Sequence, residues 1–184
     1  MMRLPVLRTK RLVLRRPRLS DAEDLVALLN DKAVRAFIPD MPAPYERRDA
    51  LQWLRRAQGP PRPTPTGPSH PRHIEMDGRM VGGISLRWNA PNKSGDIGYW
   101  IGRPYRGQGI ATEAARALVD HAFSSLGAQR LWAMAVVENQ ASREVLESCG
   151  MRLEGIQRSH QIIGRRRVDL AIYAILRSDR RPHR

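Results

Sequence analysis

The chain has a single cysteine, Cys149, which excludes an intrachain disulfide and a cysteine-based metal cluster. Uncharged apolar runs are short. The stretch 131–137 is typical of the longest, well below the ~20 residues a membrane-crossing helix needs. Residues 1–10 lack the apolar core of a secretory leader, so a soluble, cytoplasmic protein without a membrane partner is expected. Lysine is scarce as well, limited to Lys10, Lys32 and Lys93. The basic excess, 32 Lys and Arg against 18 Asp and Glu for a formal charge of +14, is therefore almost wholly arginine. The arginine fork suits phosphate and carboxylate partners. These arginines are scattered from Arg3 to Arg184, and they form no basic motif interleaved with aromatic residues. A nucleic-acid or ribosome-binding role, which a basic surface invites, accordingly ranks last.

What is present suits one domain. The 184 residues, 41% of them hydrophobic, can bury a core, and a domain over 1–178 with a basic, disordered tail over 179–184 is expected. Residues 11–15 read as a first strand. Ser20-Asp21-Ala22-Glu23 reads as a capping box in which the Ser20 hydroxyl accepts from the Glu23 amide, and Leu25, Leu28 and Leu29 continue at helical spacing. A second helix is expected over 47–58, with Leu51 and Leu54 inward. The segment 59–71 carries six prolines. Proline has no N–H to donate, so this segment is expected to be an exposed loop rather than helix or central strand. Strands follow over 73–76 and 80–88, joined at Asp77-Gly78, and over 96–101. A helix over 110–123, a buried strand over 131–137 and a short helix over 139–149 closed by Gly150 come next. Two strands, 151–163 and 168–176, meet near Gly164. This order predicts an α+β fold with helices covering a largely antiparallel sheet.

The chemistry concentrates in Arg106-Gly107-Gln108-Gly109-Ile110-Ala111, between an expected strand and an expected helix. Glycines permit close backbone approach, and the helix start offers unpaired N–H groups and partial positive charge, a cradle suited to a pyrophosphate. Arg103 and Arg106 add full charge. A dinucleotide fingerprint fits poorly, because Thr112 stands where a third glycine or alanine belongs, and a P-loop fails for want of Gly-Lys-Ser/Thr. As Arg-x-x-Gly-x-Ala, the stretch resembles the acyl-coenzyme A (CoA) pyrophosphate loop of the GNAT superfamily of N-acetyltransferases. Residues 7–15 with the Asp21 helix, Asn139-Gln140-Ala141-Ser142, residues 146–151 and residues 167–173 resemble, in order, the Rim-type branch, which includes N-terminal acetyltransferases of ribosomal proteins. Residues 59–71 have no counterpart in that pattern.

The resemblance implies a twisted, largely antiparallel sheet with a V-shaped split between two adjacent parallel strands. It implies acetyl-CoA as cosubstrate, no metal, and an amine acceptor attacking directly in a ternary complex. Ile101 would hold the pantetheine arm like an added strand. Arg106, Gly107, Gln108, Gly109, Ile110, Ala111 and Thr112 would hold the pyrophosphate. A backbone N–H of the Asp96 strand would polarise the thioester. Asp96 is the leading candidate base, with Glu138 and His160 as alternatives. Many relatives place a tyrosine at the position of Leu146 to protonate the thiolate. The Rim-type branch uses a serine instead, which matches Ser142, and Asn139 caps the same helix and binds coenzyme. Cys149 is expected to be a small buried residue. Trp53, Trp88, His73 and residues 37–39 are candidates for an acceptor pocket or for core. A protein N-terminus is the favoured acceptor. A small-molecule amine, or a non-catalytic acyl-CoA-binding protein, are the alternatives, and relatives of this kind often form homodimers.

Overall fold

The computed structural model describes residues 4–38 and 41–180. Two short strands, β1 (Leu7–Arg8) and β2 (Leu12–Arg15), lead into α1 (Ala22–Leu29), α2 (Lys32–Arg35) and α3 (Arg47–Gln58). A meander of β3 (Ser69–Met76), β4 (Arg79–Asn89) and β5 (Ser94–Ile101) precedes α4 (Ile110–Ser125). Then come β6 (Arg130–Val136), α5 (Gln140–Ser148), β7 (Arg152–Ile163) and β8 (Arg166–Leu176). The strands form one sheet in the order β1-β2-β3-β4-β5-β6-β8-β7. Among the described residues only β5 and β6 run parallel; the other neighbours are antiparallel. This is the expected α+β architecture.

Alternation along β5 sorts the two faces. Ile97 and Ile101 join Leu14, Ile74, Leu118 and Leu131 in a core covered by α4 and α5. Trp100 points the other way, to a second core built from Leu25, Leu29, Ala50 and Leu54 of α1 and α3. The β3–β4 turn uses Asp77 (φ 51°) and Gly78 (φ 76°), the paired left-handed residues that match strand twist.

The feature that positions the site is a short parallel pairing. β5 meets β6 only at Ser94–Arg130, Gly95–Leu131 and Asp96–Trp132. Beyond Asp96, β5 stays on β4 and β6 stays on β8, so the two strands part and leave a V-shaped gap.

Several local expectations need correction. Asp21 rather than Ser20 occupies the N-cap of α1, and no side chain caps that helix. The Asp21 carboxylate instead accepts the Arg18 N–H at 2.8 Å and turns inward. On α3, Leu54 is fully buried and Leu51 half-buried against the same core, as expected, and Ala50 is fully buried beside them. Strand β1 and helix α2 were not anticipated, being too short to show periodicity. Pro71 lies within β3, opposite Ser85. β2 pairs with β3 only from Arg15–His73 onward, so at Pro71 one edge of β3 is open and the missing N–H costs no ladder bond. Asp179 accepts the Leu176 N–H at 2.9 Å and Arg180 reaches Asp120 at 2.6 Å, so both belong to the fold. Residues 181–184 of the expected tail lie outside the described residues. Among the described residues no helix is long and apolar enough to cross a membrane.

Candidate active site

A cleft of about 1070 Å³ runs from the first turn of α4, through the gap between β5 and β6, to the sheet face beneath α3. At its α4 end, Gly107 (φ 74°) and Gly109 (φ 73°) hold left-handed conformations that bend the chain into the helix. Gly109 is the N-cap of α4 and supplies no side chain, so the amides of Ile110, Ala111 and Thr112 are left for an anion. Arg106, Gly107, Gly109, Ile110, Ala111 and Thr112 all line the cleft. Gln108 does not; its side-chain amide donates to Pro104 O at 3.2 Å. The Arg106 guanidinium is also committed inward, donating to Ile101 O at 3.1 Å and Ala33 O at 3.3 Å. It braces the turn and lends field rather than a free fork. Arg103 lies 3.7 Å from Asp31.

In the gap itself the free edge of β5 faces the start of α5. Asn139 caps that helix, its Oδ1 accepting the Ser142 N–H at 3.2 Å. Tyr99, unremarked in the sequence except as a strand residue, brings its hydroxyl to 2.9 Å from Ser142 O and 3.0 Å from Ser142 Oγ. Burial pushes the Tyr99 phenol above its ordinary range, so it stays protonated as a donor. Leu146 is buried core. Tyr99 therefore puts a phenol in the gap from the strand side, with Ser142 as its partner.

On the opposite face, Asp96 stands at the vertex of the V and is 3% exposed. Arg87 binds it through Nε at 2.7 Å and Nη2 at 2.5 Å, both on Oδ2, leaving Oδ1 outside that ion pair. Burial raises the Asp96 pKa, and the Arg87 charge only partly offsets it. The proline-rich loop forms the outer wall here, with Pro60, Pro61, Arg62 and Thr64 on the cleft.

Other candidates are not brought to this place. Glu138 is exposed and lies 3.5 Å from Arg166. His160 is exposed at an irregular stretch of β7, while its neighbour Gln161 does reach the cleft. Trp88 is core at 6% exposure. Trp53, His73, Phe37 and Ile38 do line the cleft, and residue 39 of the proposed acceptor stretch lies outside the described residues. Cys149 is buried, and burial pushes its thiol up to about 11, which suits packing rather than covalent catalysis.

This geometry coincides with what known proteins share. A family model described as the acetyltransferase (GNAT) domain matches residues 11–152. The chain is 31% identical over 102 residues to the ribosomal-protein-serine acetyltransferase of Escherichia coli (strain K12), 55% of this chain and 57% of that one. It is 28% identical over 182 residues to the uncharacterized N-acetyltransferase p20 of Bacillus licheniformis, 96% of this chain and 98% of that one. The match thus spans little more than half the length of the first relative and nearly all of the second. Among solved structures, Mycobacterium smegmatis RimJ in complex with a CoA disulfide has a TM-score of 0.79 at 25% identity, covering 91% of this chain and 83% of that one. The domain match takes in the strand that parts from its neighbour, the glycine turn and the Asn139 helix together, and the chain belongs to the GNAT acetyltransferase family.

Proposed function

We propose that the protein transfers an acetyl group from acetyl-CoA to a primary amine by direct attack, and that the acceptor is a polypeptide N-terminus. The observation that carries this reading is the parting of β5 and β6 after Asp96, which opens a backbone edge leading straight to the uncapped start of α4. The peptide acceptor is supported by the ribosomal-protein-serine acetyltransferase among the relatives.

In this reading the amides of Ile110 to Thr112 take the diphosphate. The unpaired edge of β5 toward Ile101 accepts the pantetheine amides as a neighbouring strand would. A β5 backbone N–H polarises the thioester carbonyl and stabilises the oxyanion. Asp96 Oδ1 removes one proton from the attacking ammonium, and the neutral amine adds to the carbonyl carbon. When the C–S bond breaks, Ser142 Oγ–H protonates the thiolate while Tyr99 O–H donates to Ser142. The proton leaving the new amide nitrogen restores the Tyr99–Ser142 pair, and Asp96 gives the proton it took from the ammonium to solvent.

Two outcomes follow. Asp96→Asn lowers kcat about 100-fold, within the range for removal of a general base. Because the base works when deprotonated and its pKa is raised, wild-type rate climbs with pH through a midpoint above the ordinary carboxylate range. The variant lacks that acid limb, and an unchanged pH–rate profile removes Asp96 from the role. Tyr99→Phe lowers kcat about tenfold with little change in the KM for acetyl-CoA, and combining it with Ser142→Ala adds little more, because the two act as one unit. Steady-state kinetics of the single and double variants checks this.

The function itself is tested by following free thiol release from acetyl-CoA with a panel of peptides and small amines. Peptide-dependent release is the expected result. Acetyl-CoA binding with no turnover across the panel contradicts it and favours a non-catalytic acyl-CoA-binding protein.

A further inference from the structure

The sheet face beneath α3 carries a built polar group that the transfer steps above leave unused. Three rows cross β3, β4 and β5: His73–Gly83–Trp100, Pro71–Ser85–Gly98 and Ser69–Arg87–Asp96. Alternate residues on a strand share a face, so all three rows point toward α3. The middle row is small on β4 and β5, and a trench runs along it from Gly98, beside the vertex of the V, to β3. Trp100 and His73 flank it on one side, Asp96 and Arg87 on the other. All these residues line the cleft.

His73 is 1% exposed and fixed on two sides. Its Nδ1 lies 2.6 Å from Asp21 Oδ2, and Trp53 stacks on the ring at 5.5 Å and 7°. Asp21 is kept ionised by Arg15, at 2.8 and 2.9 Å, and by the Arg18 N–H at 2.8 Å. The carboxylate fixes Nδ1 as the donor, and in the neutral ring that leaves Nε2 as an acceptor. That Nε2 is buried with no hydrogen-bond partner. A buried acceptor left unpaired is costly, so a ligand bringing a donor to it is favoured.

We propose that His73 Nε2 is an anchor for the peptide acceptor, taking a hydrogen bond from a backbone N–H about three residues behind the reacting amine. The spacing follows from the sheet. From Gly98 on β5 to Pro71 on β3 is two strand separations, about 9.6 Å, and His73 lies two residues further along β3, roughly 6.6 Å. An extended peptide covers the diagonal of about 12 Å, less the reach of the ring, in about three residues. His73 is thus a positioning and specificity residue, and its assignment rests on the N-terminal-amine reading above.

Peptides of two, four and six residues sharing one N-terminal sequence, together with a simple arylalkylamine, provide the test. With wild type, KM falls between two and four residues and is level from four to six. An asparagine at this position keeps a donor where Nδ1 meets Asp21 but offers nothing at Nε2; glutamine does the reverse. His73→Asn raises KM for the four- and six-residue peptides about fivefold to tenfold, with kcat and the dipeptide unchanged. His73→Gln stays within about twofold of wild type on the same peptides, even with a lower melting temperature. A merely structural histidine reverses that order or shifts every acceptor alike, and either result overturns the anchor. Independently of any variant, the ¹⁵N resonance of wild-type Nε2 moves when the tetrapeptide and CoA are added and not with the dipeptide; no movement also overturns it. Peptide turnover without length dependence removes the anchor and leaves the proposed function standing. Turnover of the arylalkylamine alone removes the peptide acceptor and the anchor together.

Discussion

Gly109→Val is expected to weaken acetyl-CoA binding about a thousandfold, roughly 4 kcal/mol, while the protein stays folded. Gly109 sits at φ 73°, where a β-branched residue is strained by about 1–3 kcal/mol. The space around it is open, since a Cβ there meets only the tip of Arg11 at 3.7 Å. The loss therefore falls on the backbone of the helix start. Relaxing φ turns the amides of Ile110 and Ala111 away from the cleft. Each charge-assisted bond from such an amide to a phosphate contributes about 1.5–3 kcal/mol. Calorimetric titration measures the change, and near-native affinity in a folded variant contradicts it.

Asp21→Ala is expected to cost about 3–5 kcal/mol of stability, the range for removing one partner of a buried ion pair. Arg15 is 6% exposed and leans on Asp21 and Glu75; without Asp21 it loses two bonds. Burial alone would raise the Asp21 pKa, yet the hydrogen bonds from His73, Arg15 and Arg18 hold it well below the ordinary 3.8. A carboxyl depressed by folding contributes stability that is complete above its unfolded pKa and is lost as pH falls through the folded one. Denaturant unfolding of wild type should accordingly begin to lose this contribution as pH falls through about 3.8 and go on losing it below, and the gap between wild type and variant should narrow over that range. An equal gap at every pH contradicts this reading of Asp21.

Elements carried by local pattern were legible in the sequence. The Asp77-Gly78 turn, the α4 periodicity and the Asn139 cap each depend on residues within a few positions of one another, and each forms as read. The glycine turn was legible for the same reason. Contacts that join distant segments were not. Tyr99 meets Ser142 across 43 positions, and His73 meets Asp21 across 52. Read alone, Asp21 looked like a member of a helix cap; three-dimensional packing makes it the partner of Arg15 and His73, with Glu75 on the other side of Arg15. Arg106 looked like a phosphate fork because a run of sequence does not show which carbonyls lie within its reach. Asp96 was placed at its strand by pattern, whereas its clamp by Arg87 depends on the β4–β5 register.

The most direct test compares acetyl-CoA with S-acetylpantetheine, which keeps the thioester arm and lacks the diphosphate, by titration calorimetry on wild-type protein. Main-chain grip on the diphosphate predicts binding at least about 100-fold tighter for acetyl-CoA, and Gly109→Val erases most of that difference. Equal affinity for the two compounds, or no binding of either, contradicts it.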